Sequence, residues 1–233
     1  MMTCNEVYVT DVSIYKDPEV FRSFYDKMDS KRKEKIDRLH NDSDKYLSLG
    51  AGVLLKRAMS EFGIDEPEIE LGANGKPYIK GRSDIFFNLS HSGTYAAMTV
   101  SDREVGIDIE KIKNFKDSLI KRVFDEKEIA MVSRLLSETE GTEENIAGAD
   151  ALYTGLWTAK ESVMKYFGTG ISMDPAKIHL ELGKIRDNSS IKSMTVSSEK
   201  VDCSGITIQC YELEDYRISV CSEYDSCGQV VII

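Results

Sequence analysis

The strongest constraint on this fold is a change from helical to strand-like spacing of apolar residues, which occurs twice along the chain. After one strand at residues 6–14, apolar residues recur at helical spacing through residue 62, and short alternating segments follow. The second half again places helical segments before strand-like ones. The spacing predicts strands at 85–89, 95–100 and 105–109, helices at 118–124, 126–137 and 151–167, and strands at 178–182, 193–197, 206–212, 216–222 and 229–233.

This order predicts an α+β fold of two similar lobes, each with helices packed on a small, mainly antiparallel sheet. We place the N-terminal lobe at residues 1–112 and the C-terminal lobe at residues 113–233. The three strands after residue 84 are expected to form one antiparallel group. The sequence shows no internal repeat, so the likeness of the lobes, a pseudo-dimer, would be structural.

The charge balance narrows the class of ligand. The net charge is −10, which argues against nucleic-acid binding, because such proteins need a basic face to displace counterions. An anionic ligand would need a local basic cluster, and residues 31–35 (KRKEK) provide one. A solvated helix face is the commoner meaning of such a run.

Compartment and redox state follow from three further features. The longest apolar runs, 51–55 and 230–233, are far shorter than the roughly 20 residues of a membrane span. The first residues do not resemble a signal peptide. The five cysteines include no C-x-x-C pair, which favours reduced thiols over a zinc site. We therefore expect a cytoplasmic protein that does not associate with membranes.

The segment GIDIE, residues 106–110, ends a predicted strand and carries two acids. Side chains alternate along a strand, so Asp108 and Glu110 point the same way. Two carboxylates on one face suit Mg²⁺, which takes oxygen ligands and often shares them with substrate phosphates. An antiparallel strand with a solvated acidic face is the alternative.

A helix predicted over residues 156–167 carries a second group of polar residues. Glu161 and Lys165 are four positions apart and so adjacent on one helix face, with Lys160 beside them and Trp157 one turn earlier. They could supply a metal ligand, a proton acceptor and a cation for phosphate charge. An ordinary surface ion pair is the alternative.

The segment FFNLSHSG, residues 86–93, passes from an apolar strand into a polar turn with a histidine. Its N–H groups, hydroxyls and imidazole suit a phosphate, and a polar turn with a capping histidine is the alternative. A serine–histidine hydrolase is disfavoured, because Ser90 and His91 are consecutive and face apart, and the chain lacks a G-x-S-x-G elbow.

Taken together and in order, these motifs resemble the 4'-phosphopantetheinyl transferases. The resemblance rests on GKP at 75–77, FNLSHSG at 87–93, GIDIE at 106–110, F-x-x-x-E at 124–128 and W-x-x-K-E-S-x-x-K at 157–165. The chain length is similar to that of the long, monomeric, surfactin-synthetase-activating type, which is a pseudo-dimer of two lobes.

The resemblance implies roles for individual residues. The family's metal ligands fall on Asp108, Glu110 and Glu161, and Glu161 and Lys165 are the implied catalytic residues. The implied coenzyme A contacts fall on Lys76, Pro77, Ser90, His91, Lys160 and Lys165, with Lys31, Lys35 and Lys45 as candidates from the early helices.

The implied reaction is attack by a serine of an acyl or peptidyl carrier protein on the β-phosphate of coenzyme A, with Mg²⁺ as cofactor and adenosine 3',5'-bisphosphate as leaving group. Two alternatives remain open: a non-catalytic coenzyme A or carrier-protein binding module of the same fold, and a magnesium-dependent phosphodiesterase.

Overall fold

The structure is a computed structural model that describes residues 5–137, 142–183, 191–225 and 227–233. Its helices are α1 (Pro18–Tyr25), α2 (Ser30–Asp37), α3 (Asp42–Ser60), α4 (Asp117–Val123), α5 (Glu126–Ser137) and α6 (Thr142–Tyr166). Its strands are β1 (Asn5–Asp11), β2 (Ile69–Leu71), β3 (Pro77–Ile79), β4 (Phe86–Ser92), β5 (Tyr95–Ser101), β6 (Val105–Lys111), β7 (Ile178–Leu182), β8 (Ser193–Ser198), β9 (Thr207–Leu213), β10 (Tyr216–Ser222) and β11 (Cys227–Ile232).

Two sheets organise the described residues, and a short ribbon of β2 and β3 accompanies them. One sheet has the strand order β11-β1-β5-β4 and is antiparallel except where β1 and β11 pair in parallel. The other has the order β6-β10-β9-β8-β7 and is antiparallel throughout. The expected α+β fold, with helices on small and mainly antiparallel sheets, is confirmed.

The strand grouping corrects one expectation. β6 does not join β4 and β5 as a third antiparallel strand, because it pairs along its length with β10. β11, from the end of the chain, returns to pair with β1. Such pairing between distant strands leaves no local signal in the sequence. The lobe boundary between residues 112 and 113 therefore stays a proposal. Two strand pairs, β6 with β10 and β1 with β11, join residues from its two sides.

Helix α3 covers the first sheet, and its close approach depends on a glycine. Helix α1, which comes earlier in the chain, begins in the usual way: the Asp17 side chain caps its N-terminus, and Pro18 is its first residue. A Cβ on Gly50 would lie 2.5 Å from Val12 Cγ1, so only glycine lets α3 lie this close to the end of β1. Buried Leu49 and Leu54 complete this side of the core.

Helix α6 packs on β6 and β10 and is central to the second lobe. Leu156, Ala159 and Val163 on its inner face are fully buried. A Cβ on Gly106 would lie 2.1 Å from the Ser162 carbonyl oxygen and 2.4 Å from the Tyr166 nitrogen. The glycine of GIDIE therefore allows the strand with the two acids to touch the helix with Glu161.

The start of α6 differs from the prediction, which ended one helix at residue 137 and began the next at residue 151. The helix begins at Thr142, and residues 138–141 lie outside the described residues. The segment between residues 137 and 151 contains glutamates, which are good helix formers, and glycines, which each cost about 1 kcal/mol in a helix, so its composition does not exclude a helix.

The two sheets share an apolar core of their own. Buried Val7 and Val9 of β1 cluster with Ile107 and Ile109 of β6 and with Ile218 of β10. This shared cluster fixes the seam between the two sheets, which the site described below occupies. Among the described residues, no helix is both long enough and apolar enough to cross a bilayer.

Candidate active site

The edge strands β4 and β6 face each other, and side chains of β4 join them. Three alternate β4 residues accept hydrogen bonds from backbone N–H groups of three alternate β6 residues. These pairs, which we call the β4–β6 ladder, are Asn88 Oδ1 with Ile107 (3.1 Å), Ser90 Oγ with Ile109 (3.3 Å) and Ser92 Oγ with Lys111 (3.2 Å). An edge strand otherwise leaves these N–H groups without partners in its sheet. The ladder therefore fixes β6, with its two acids, against the other sheet.

Asp108 is buried in this seam, and only one of its two carboxylate oxygens has hydrogen-bond partners among the described residues. Its Oδ1 accepts hydrogen bonds from Ser90 Oγ at 2.7 Å and from Lys165 Nζ at 2.7 Å. Its Oδ2 is buried, and no described group hydrogen-bonds to it. Burial raises the pKa of Asp108, and the Lys165 charge opposes that shift. An unpaired oxygen on a buried carboxylate is costly, so it marks a position where a ligand is expected.

Glu110 lies one step further along the same face and is held on both sides. Its Oε2 accepts a hydrogen bond from Ser92 Oγ at 2.8 Å, and its Oε1 pairs with Lys113 Nζ at 2.9 Å. Lys113 Nζ also lies 5.4 Å from the centroid of the Trp157 ring. Neither Ser92 nor Lys113 was predicted as a site residue; Ser92 could have been, since it alternates with Ser90 on one face of β4.

Glu161 on α6 faces the two β6 carboxylates. Burial raises its pKa, and the charges of Asp108 and Glu110 raise it further, while Lys165 and Lys113 lower it. No described group donates a hydrogen bond to its carboxylate. The structure thus brings the three predicted metal ligands within electrostatic reach of one another.

The donor set fits a hard divalent cation. All three side chains offer oxygen, and Asp108 Oδ2 has no other partner. Among the described residues, however, no group of three or more potential ligands is drawn tightly enough to enclose a metal ion. Lys165, Ser90 and Ser92 hold the β6 carboxylates instead. Mg²⁺ needs only one or two carboxylates when substrate phosphates complete its shell, so the fit holds.

Cationic side chains border the carboxylates. Burial lowers the pKa of His91, and the Lys165 charge and then that of Lys35 lower it further. The pKa of Lys35 is itself lowered by burial and by Arg32. Lys165 and Lys35 therefore lie within electrostatic reach of His91, and Arg32 lies within reach of Lys35; we call these four basic residues the cationic rim. Arg32 was missing from the predicted site, although it lies within the basic run.

Lys76 has its ammonium group engaged inside the protein, and its predicted contact with coenzyme A stays a prediction. The side chain is buried, and its Nζ donates to Glu104 Oε2 at 2.5 Å, to the Val105 carbonyl at 3.2 Å and to the Tyr166 carbonyl at 2.7 Å. These acceptors use all of its protons and tie β3 to the end of α6. Pro77 is half-buried at the start of β3, and its predicted contact stays a prediction.

Lys160 is likewise a core residue, and its predicted contact with coenzyme A stays a prediction that its position does not support. The side chain is completely buried, and its Nζ lies 2.8 Å from Glu128 Oε2. Backbone carbonyls of Val123, Pro175 and Ile178 also accept from it, at 2.8–3.1 Å. No N–H remains for a phosphate.

Lys45 lies beside a different cavity. It pairs with Asp42 at 3.2 Å and lines a cavity of about 570 Å³ among the 3₁₀ turn at Val12–Lys16, α1 and the start of α3. Aromatic side chains such as Tyr15 and Phe21 line this cavity, and none of the three carboxylates does. The predicted role of Lys45 stays a prediction.

Comparison with known proteins identifies relatives of this chain. Residues 104–221 match the model of the 4'-phosphopantetheinyl transferase superfamily. A 4'-phosphopantetheinyl transferase named ffp, from Bacillus subtilis, is 30% identical over 200 residues, covering 83% of this chain and 81% of the relative. The 4'-phosphopantetheinyl transferase Sfp from Bacillus subtilis (strain 168) is 28% identical over 223 residues, covering 94% and 91%. A holo-(acyl-carrier-protein) synthase from Bacillus anthracis in complex with coenzyme A aligns with a TM-score of 0.36 and 16% identity, covering 51% of this chain and 92% of that one.

The chain therefore belongs to the 4'-phosphopantetheinyl transferase superfamily. It is an enzyme of the Sfp type, which confirms the class implied by its motifs.

Proposed function

We propose that this enzyme transfers the 4'-phosphopantetheine group of coenzyme A to a serine of an apo-acyl or apo-peptidyl carrier protein. The observation that carries the proposal is Asp108, a buried carboxylate with one free oxygen, which lies between the cationic rim and Glu161. A site with both acidic and cationic walls suits a pyrophosphate that is held by a divalent cation on one side and by lysine and imidazole on the other.

Asp108, Glu110 and Glu161 are the residues that would hold Mg²⁺. The bound ion would neutralise charge on the pyrophosphate and keep it in place. The cationic rim binds the phosphates directly, and its charge offsets the effect of the overall charge of −10 on an anionic substrate.

The transfer joins the carrier serine Oγ to the β-phosphorus and breaks the bond between that phosphorus and the bridging oxygen. The leaving group is adenosine 3',5'-bisphosphate. Glu161, which faces the two β6 carboxylates, is the residue that we assign to accept the serine proton. Lys165, which already touches Asp108 and Ser90, stabilises the oxygen that departs.

Mass spectrometry tests this function. An apo-carrier protein incubated with coenzyme A, Mg²⁺ and the enzyme should gain the mass of one phosphopantetheine on its serine. Glu161→Gln should lower the rate by roughly 10²–10⁴-fold and keep the fold. Absence of a mass gain across several carriers would overturn the proposal, and unchanged rates in Glu161→Gln would remove that residue from the mechanism.

Two alternatives have distinct outcomes in the same experiment. A non-catalytic module would bind coenzyme A and leave the carrier unmodified. A phosphodiesterase would release adenosine 3',5'-bisphosphate without any carrier.

We further propose that the enzyme acts in the cytoplasm as a monomer and binds neither nucleic acid nor membranes.

A further inference from the structure

We propose that Ser92 is a positioning residue, which orients Glu110 for metal binding through the β4–β6 ladder. The proposal rests on the proposed function, because it takes Glu110 as a ligand of the divalent cation. Ser92 touches neither the cation nor the reacting atoms in this proposal, so its effect acts through Glu110 alone.

The ladder repeats one arrangement at two positions. Ser90 Oγ accepts from the N–H of Ile109 and donates to Asp108. Ser92 Oγ accepts from the N–H of Lys111 and donates to Glu110. Each hydroxyl thus holds β6 with its lone pair and fixes the preceding carboxylate with its proton.

The third position of the ladder holds the strand but has no carboxylate to orient. Asn88 accepts from the N–H of Ile107, but the residue before Ile107 is Gly106, which has no carboxylate. Asn88 can therefore hold the strand without orienting an acid. The hydroxyls occur only where an acid precedes the N–H donor on β6, which indicates that the serines serve the acids as well as the strand.

Glu110 needs such a restraint more than Asp108 does. Its side chain is longer and 26% exposed, compared with 8% for Asp108. Lys113 holds its Oε1 from the solvent side, and Ser92 holds its Oε2 from the ladder side. With Ser92 in place, Oε1 can exchange Lys113 for a cation while the carboxylate keeps its orientation. Groups that orient metal ligands commonly change affinity by about 10–100-fold when removed.

The test compares Ser92→Thr with Ser92→Val in the full chain. Threonine and valine have nearly the same shape and both suit a strand, but only threonine keeps the hydroxyl. Mn²⁺ is titrated into each protein, and the free ion is measured by its electron paramagnetic resonance signal. We expect Ser92→Val to bind Mn²⁺ about 10-fold more weakly than the wild type, and Ser92→Thr to bind within a factor of two to three. Ser92→Ala should behave like the valine variant.

Two controls separate the possible failures. Asn88→Ala removes a ladder hydrogen bond that has no acid, so it should lower the melting temperature and leave Mn²⁺ affinity unchanged. Asp108→Asn should abolish specific binding if the proposed metal site is correct. Normal binding by Ser92→Val would overturn the positioning role, as would equal weakening by Asn88→Ala. Normal binding by Asp108→Asn would instead overturn the metal site itself.

The activity of the same variants provides a second test of the positioning role. The rate of carrier modification is measured over a range of Mg²⁺ concentrations. The valine variant should need about 10-fold more Mg²⁺ for its half-maximal rate and approach the wild-type rate when the ion is saturating. A lower maximal rate with an unchanged Mg²⁺ requirement would contradict the proposal.

Discussion

Helix α6 carries two lysines five positions apart, and each pairs with a carboxylate in a different region of the molecule. Lys160 and Glu128 are both completely buried in the second lobe. Lys165 and Asp108 lie in the seam, with 27% and 8% of their side chains exposed. The two pairs have the same chemistry and nearly the same distance, 2.8 and 2.7 Å.

The difference lies in how completely each carboxylate is paired. Glu128 accepts from Lys160 and from the N–H of Asp125 on one oxygen, and from the N–H of Leu180 on the other. Asp108 leaves Oδ2 with no described partner. A saturated buried pair holds elements together, whereas an unsaturated one retains capacity for a ligand.

Removing Lys160 should have the largest effect, because it leaves a buried charge without its partner. We expect Lys160→Met, which keeps most of the side-chain volume, to lower the free energy of unfolding by about 3–5 kcal/mol. Urea unfolding of the purified protein measures this. A stability equal to that of the wild type would mean that the buried pair is not structural.

Removing Lys165 should mainly affect catalysis. We expect Lys165→Met to lower kcat/KM for carrier modification by roughly 10²–10³-fold, because it removes a cation beside the phosphates. The free energy of unfolding should fall by a smaller amount than in Lys160→Met, about 1.5–3 kcal/mol, the typical value for a hydrogen bond to a charged group. Lys80→Met, which removes an exposed lysine from the ion pair with Glu68, is the matched control and should leave both quantities nearly unchanged. A larger stability loss than in Lys160→Met would reverse the comparison.

Neutralising Asp108 should stabilise the fold. Because its folded-state pKa lies above the unfolded value, its contribution to stability is complete below the unfolded pKa and is lost as pH rises through the folded one. Asp108→Asn should therefore gain about 0.5–2 kcal/mol at neutral pH and lose activity, as is common where function requires an unfavourable group.

Unfolding of both proteins between pH 4 and 8 checks this, and the gap should widen as pH rises. Glu128→Gln provides the contrast, because it should lose stability at neutral pH. If Asp108→Asn were also less stable than the wild type there, the free oxygen would carry no energetic cost.

The two lysines also show how far the sequence can predict a site. Alternation in GIDIE correctly places Asp108 and Glu110 on one face, and the four-residue spacing correctly places Glu161 beside Lys165. The burial of Lys160 could have been predicted. This residue lies four residues after Leu156 and three before Val163, both of which are buried, so helical spacing alone places it on the apolar face.

Other features could not be predicted from local patterns. The pairing of β6 with β10 joins residues more than a hundred positions apart, and nothing in either strand specifies its partner. The need for glycine at 106 is visible only once α6 lies 2.1 Å from the missing Cβ. Arg32 and Lys35 join the site through the packing of α2 and α3, not through their own spacing.

The smallest expected effect concerns the titration of His91, which reports the charge of Lys165 in the seam. The pKa of His91 is lowered by burial first and by Lys165 second, with a weaker contribution from Lys35. Its stabilising contribution is therefore complete above the unfolded pKa and is lost as pH falls through the folded one. Lys165→Met should raise the pKa of His91, and Lys35→Met should raise it less.

Proton NMR of the imidazole resonances between pH 5 and 8 measures the change. Equal responses of His91 to the two lysine variants would mean that Lys165 is not the dominant cation at the phosphate side of the seam. A larger response to Lys165→Met would show that Lys165 supplies most of the positive potential at His91, where we propose that the phosphates bind.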